Sequence, residues 1–162
     1  MGLFHGPRAY PEYYERFYDR FDIYHGRAKW EKSIDGIPQA ALDLWALHWL
    51  HLEVYNGGFL QFFENSTGVL APEARDGFAA IGMKDVADIV QRAMDKLGNP
   101  YPFDREERNT VLMKMDERKM DFDQEDKEFY DLADTNKFFR RVPKFVPLAD
   151  TYAIKHLSLE KE

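Results

Sequence analysis

Two histidines and a glutamate fall within six residues of one apolar run: His48, His51 and Glu53. Three residues apart on a helix, His48 and His51 share a side and could in principle grip one metal ion. Zinc needs three or four ligands, however, and neither His-Glu-x-x-His nor Glu-x-x-His is present. His-x-x-His alone is a weak signal, so ordinary interior or boundary histidines are favoured and no metal is expected. Glu53 is the more informative residue. Helical spacing sets it between Leu42 and Ala46, beside Trp49, on an apolar face. A carboxylate buried there needs partners, or its pKa climbs until it is neutral. That leaves two roles open: a tuned general acid or base, or a structural carboxylate that ties down the following Asn56-Gly57-Gly58 or a facing helix end. With no second carboxylate or nucleophile placed beside it, the structural role is favoured.

Other constellations fail on inspection. Asp121, Asp123 and Glu125 alternate like the start of a calcium loop, but its sixth position is Asp126 rather than Gly, and its twelfth is Leu132 rather than Glu. Gly57-Gly58 has no preceding strand and no following Lys-Ser or Lys-Thr, so it is no phosphate loop. Cysteine is absent, which excludes disulfides, thiol nucleophiles and Cys-ligated metal centres. Asn65-Ser66-Thr67 has the form of a glycosylation sequon, without a secretory signal to give it meaning. Gly2 follows Met1, but Gly6 stands where myristoylation wants Ser or Thr. No catalytic residue and no cofactor are expected.

These residues must be positioned by helices, because helical spacing recurs along the chain and sustained strand alternation does not. Tyr14, Phe17, Tyr18 and Phe21 fall at i, i+3, i+4, i+7 after Pro11, a natural first-turn residue. A second helix starts near Pro38 and is apolar on nearly all sides, with Leu42, Trp45, Ala46, Trp49 and Leu52 on one face and Leu44, Leu47, Leu50 and Val54 around the rest. Its neighbours must bury it. Asn56-Gly57-Gly58 reads as a left-handed glycine stop and a tight corner. Phe59, Phe62 and Phe63 restart the spacing into the same core, and Gly68 ends that short helix. Further helices start at Pro72, run from Val86 to Leu97 before Gly98-Asn99-Pro100, open at Asp104 with Glu107 as an acidic capping box, pass through Phe129, Leu132 and Ala133, and close the fold after Pro147. The expected architecture is all-α: one domain over residues 1–162, a multi-helix bundle around a central buried helix.

Composition narrows the partners. Hydrophobic residues make up 44% and aromatics 15%, enough for a sizeable core in a chain of 162 residues. The absence of a signal-peptide core or an 18-residue apolar span points to a cytoplasmic protein with no membrane partner. Net charge is −7. That disfavours direct nucleic-acid binding, which draws on Lys and Arg at phosphates, and suits a basic partner. Nearly all the excess lies in one segment. Asp116, Glu117, Asp121, Asp123, Glu125, Asp126, Glu128, Asp131 and Asp134 stand against Arg118, Lys119 and Lys127, a local net of −6. The segment is either an anionic docking surface or simply a solvated helix–loop–helix face.

The run Glu53-Val54-Tyr55-Asn56-Gly57-Gly58-Phe59-Leu60-Gln61-Phe62-Phe63, continued by Asn65-Ser66-Thr67-Gly68, resembles the signature of the DNA-mimic protein family, a helical bacterial family. Ala80-Ile81-Gly82, the Val86–Leu97 helix and the acidic stretch around Phe129-Tyr130 are similar as well, so the resemblance covers roughly residues 38–155. Within it, Glu53, Asn56, Gly57, Gly58, Phe59 and Gln61 mark the fold and form core. What the resemblance implies for function is mimicry. Surface carboxylates stand in for DNA phosphates and occupy the DNA-binding site of a transcription regulator, often from a homodimer. Nineteen helical residues would span about 28 Å, over which duplex DNA carries about 16 charges. A net −6 falls short of that, and two copies side by side would narrow the gap.

Three readings follow. The leading one is a non-enzymatic interaction domain whose acidic segment meets a basic DNA-binding protein. The second is a small enzyme or ligand-binding domain with a pocket near Glu53, His48, His51 and the glycine corner. The third is an aromatic interaction surface to which Tyr10, Tyr13 and Tyr24 would contribute.

Overall fold

A computed structural model describes residues 8–133 and 142–160. Gly2, Gly6 and Asp134 lie outside the described residues. The fold is all-α, with no strand among those residues. Eight helices follow in order: α1 (Ala9–Glu15), α2 (Arg27–Ser33), α3 (Gln39–Glu64), α4 (Ala71–Ala80), α5 (Lys84–Leu97), α6 (Arg105–Glu117), α7 (Asp123–Ala133) and α8 (Phe145–Leu159). Short 3₁₀ turns sit at Tyr18–Arg20 and Ser66–Leu70.

The central helix is α3, and it packs against α1, α4, α6, α7 and α8. Its apolar girdle explains why. Leu44, Ala46, Leu47, Leu50 and Val54 are all fully buried, and no single neighbour covers every side. Aromatic stacking adds shape to the core: Phe21 stacks 4.1 Å from Trp45, and Trp30 stacks on the same Trp45 at 5.5 Å. Beyond the kink, Phe59, Phe62 and Phe63 are also fully buried, meeting Phe122 and Phe129.

Several sequence readings are corrected here. The stripe from Tyr14 to Phe21 is not one helix, since α1 ends at Glu15 and a 3₁₀ turn follows. Tyr10 and Tyr13 are buried rather than presented at the surface, because α8 folds back over α1 and the Tyr13 hydroxyl donates to Glu160 at 2.8 Å. Tyr24 is exposed, as expected. Finally, Gly57-Gly58 does interrupt the helical run, as expected, but as a kink within α3 rather than a full stop. Gly58 takes a positive φ (φ 75°, ψ −178°) that is essentially reserved for glycine, Gly57 also leaves the helical region (φ −151°, ψ 23°), and the helix resumes at once through Glu64. Gly68 then falls within a 3₁₀ turn rather than at a helix end, and α8 begins at Phe145, two residues before Pro147.

Candidate functional site

A kink in a buried helix leaves backbone donors and acceptors without their usual partners. Here they are met from α7. The Asp126 carboxylate accepts from the Phe59 amide at 2.7 Å, and the Tyr130 hydroxyl donates to the Val54 carbonyl. Asp126 and Tyr130 are four apart on one face of α7, so a single helix turn clamps both sides of the break. Asp126 acts as an N-cap supplied from another helix. Its approach requires a glycine: a Cβ on Gly58 would lie 2.4 Å from Asp126 Oδ2. Burial pushes the Asp126 pKa up, opposed by the Phe59 hydrogen bond and reinforced by Asp123 and Glu125 nearby.

Glu53 holds the other flank. It accepts from Gln61 at 2.6 Å, from Asn65 at 3.1 Å and from the Thr67 hydroxyl at 3.0 Å. Asn56 in turn donates to Gln61 at 3.0 Å. One carboxylate therefore ties the segment before the kink to the segment after it and to the 3₁₀ turn beyond. Three donors converging on a half-buried carboxylate hold it as a structural acceptor. The Asn65 side-chain amide is committed to this network.

Arg108 closes the far end of α3, a role that no local pattern in the sequence signals. Its guanidinium is 1% exposed and donates to the carbonyls of Phe63 (2.8 Å), Asn65 (2.9 Å) and Phe103 (2.6 Å). These include orphan carbonyls at a helix C-terminus, where the macrodipole favours a cation. Gly68 makes room, since a Cβ there would meet Arg108 Nε at 2.6 Å. Burial lowers the pKa of Arg108 from its ordinary value.

The histidines form no site with Glu53. His48 Nδ1 lies 3.1 Å from the Tyr10 hydroxyl, and burial, with His51 and Arg8 as cationic neighbours, lowers its pKa to about 4. His51 packs among Tyr55, Phe129 and Phe145. The described residues contain no group of three or more His, Asp or Glu able to hold a metal. A cavity of about 290 Å³ does open beside the kink, lined by Gly57 but by none of Glu53, His48 or His51.

The acidic segment divides into four kinds of carboxylate. Glu125 and Asp126 turn inward, and Glu125, only 4% exposed, pairs with Lys96 of α5 at 2.6 Å. Glu128 is held by Gln124 and Arg92, which lower its pKa. Asp131 pairs along α7 with Lys127 at 2.7 Å. Asp116, Glu117, Asp121 and Asp123 are exposed, and none forms an ion pair among the described residues. Of these four, Asp116, Asp121 and Asp123 converge on the cavity beside the kink. The eight described acids of this run thus do not form one continuous surface: those without ion pairs sit at the α6–α7 junction.

No described helix is long and apolar enough to cross a membrane. In comparison with known proteins, no curated protein and no solved structure matches the chain. One protein-family model does, described as DMP19-like protein, over residues 35–156. That stretch takes in the kinked α3, Arg108, α7 and the unpaired acids, close to the 38–155 span that the resemblance in sequence suggested. With most of its length matched in this way, the chain belongs to the DMP19-like protein family.

Proposed function

We propose that this protein is a non-enzymatic DNA mimic, which presents carboxylates at the α6–α7 junction to the DNA-binding surface of a basic transcription regulator in the cytoplasm. The observation that carries the reading is the convergence of Asp116, Asp121 and Asp123, exposed and without ion pairs, around one cavity, with Glu117 beside them. Membership of the DMP19-like family, a family of DNA mimics, supports it. Carboxylates free of internal cations can replace phosphates at a basic surface, and binding would release the counterions that surface holds.

Asp131 and Glu128 belong to the same helix but spend part of their field on Lys127 and Arg92. One protomer therefore offers fewer free charges than the duplex it imitates, and a homodimer setting two junctions side by side would raise that density. Glu53 is saturated by its own donors, so the alternative of an enzyme or ligand pocket centred on it gains nothing from the geometry.

The test is capture of a partner from native lysate across a salt titration. Capture should weaken steeply between about 0.1 and 0.5 M salt. The joint reversal Asp116→Lys, Glu117→Lys, Asp121→Lys and Asp123→Lys should abolish it, and duplex DNA should compete for the partner. Capture that persists at high salt and through the reversal would sink the proposal.

A further inference from the structure

Bare mimicry of phosphates calls for charge alone, but the unpaired acids stand on an apolar floor. A second cavity, about 440 Å³, adjoins the one beside the kink, and the two share Leu60, Leu112 and Asp116. Together they form a groove between the end of α3 and two turns of α6, floored by Leu60, Leu112, Met113, Met115, Met120 and Phe122. Three of these are far from covered: Leu60 is 46% exposed, Met113 68% and Met120 46%. Such side chains on one patch mark an interaction surface, and methionines adapt their shape to what they meet. Among the described residues that line it, the rim carries Glu64, Asp116, Asp121 and Asp123 against Arg105, whose Nε donates to the Glu64 carbonyl at 2.7 Å, while Lys96 reaches the Asp121 carbonyl from outside the lining at 2.8 Å.

Resting on the mimic reading, we infer that this groove receives a basic amphipathic helix of the partner protein. Its apolar face lies on Leu60, Met113 and Met120, and its flanking Lys or Arg side chains reach the rim carboxylates. Charge complementarity selects this occupant. A second copy of the chain would set like charges against each other across the groove, and a nucleic acid would be repelled by the same rim. A purely cationic surface would leave the apolar floor unmatched. An amphipathic basic helix satisfies both parts at once.

The experiment uses the intact protein and two synthetic 18-residue peptides. One is built of Leu and Lys with the leucines on a single helical face; the other has each Leu replaced by Ser at unchanged charge. Binding is measured by calorimetry at about 0.15 M salt, with the methyl resonances of Met113 and Met120 followed by NMR. The Leu-Lys peptide should bind at least tenfold more tightly and shift both methionines. The variant Leu60→Ser, Met113→Ser, Met120→Ser should lose that preference while keeping its helical circular dichroism and its affinity for the Ser-Lys peptide. Equal affinities for the two peptides, or a preference that survives the triple variant, would overturn the groove. If either result came with partner capture still abolished by the Lys reversals, the mimic reading would stand without it. Capture that ignored the reversals would remove the mimic reading, whatever the peptides did.

Discussion

Asp123 and Asp126 sit one turn apart on α7 and serve opposite ends. Asp126 is half-buried in the wall of the cavity beside the kink, where it accepts from the Phe59 amide freed by the break in α3, and it becomes part of the fold. Asp123 lines the same cavity, is exposed, and makes no ion pair among the described residues. The same contrast separates the whole kink region from the α6–α7 rim. Around the kink, Glu53, Asn56, Gln61, Asn65, Thr67, Asp126 and Tyr130 form a network closed on itself. At the rim, Asp116, Glu117, Asp121 and Asp123 make no ion pair among the described residues, and Asp121 accepts from the Asp123 amide at 3.2 Å. Side-chain type does not decide which of these a carboxylate does; the donors that the fold brings within reach do.

The sharpest way to break this comparison is at Arg108. Replacing it with Leu leaves the Phe63, Asn65 and Phe103 carbonyls without their donor, with each buried orphan costing about 1–3 kcal/mol. We expect a loss of roughly 3 kcal/mol or more in urea denaturation. A loss under about 1 kcal/mol would mean that the C-terminus of α3 is not held from α6.

Next comes Gly58→Ala, which meets both a positive φ and the Asp126 carboxylate. The expected cost is about 2–3 kcal/mol, since strain at such a φ is worth roughly 1 kcal/mol and the contact adds the rest. Gly36→Ala is the control: it shares the positive φ (73°), but open space surrounds its Cβ. It should cost only the strain. Combining Gly58→Ala with Asp126→Ala should be less damaging than the sum of the two singles, because the contact exists only when both side chains do. Strict additivity would break the link between the glycine and the carboxylate.

Much of the fold was legible beforehand, and the reasons differ by element. The α5 helix, its glycine stop and the Asp104 cap, which accepts from the Glu107 amide at 2.9 Å, follow from local pattern. So does the burial of α3, which has no polar side to show. Arg108 was invisible because it lies in the polar run Arg105-Glu106-Glu107-Arg108, while its partners lie up to 45 positions away in sequence. Tyr10 and Tyr13 were misplaced for the same reason, being covered by a helix that arrives more than 130 residues later. Charge counting treats the acidic segment as one block. Its division into inward and outward residues follows the spacing of Phe122, Glu125, Asp126, Phe129 and Ala133, a helical stripe in which two carboxylates occupy core-facing positions. Charge counting hid that stripe.

Glu53→Gln should cost less than either earlier change, about 1–2 kcal/mol, because an amide oxygen still accepts from some of the three donors. The helical circular dichroism spectrum should be unchanged. Glu53→Ala should cost more, as it leaves Gln61, Asn65 and Thr67 without their shared acceptor. Equal effects of the two variants would show that the network does not depend on a hydrogen-bond acceptor at this position.

The smallest effects compare the two aspartates directly. Asp123→Asn should alter stability by less than about 0.5 kcal/mol, as surface substitutions away from structural contacts do. Asp126→Asn has a pH signature instead. The native state holds the Asp126 proton more tightly than the unfolded chain does, because burial raises its pKa above the ordinary 3.8. Ionisation therefore costs the folded state, and wild-type stability from this residue falls as pH rises from about 3.8 through the higher native value. The Asn variant keeps an oxygen for the Phe59 amide and has nothing to ionise. Its stability relative to wild type should rise over that same window and then level off. A difference that stayed constant, or fell, with rising pH would place Asp126 in an environment as open as the rim, and the division between the two regions would lose its clearest example.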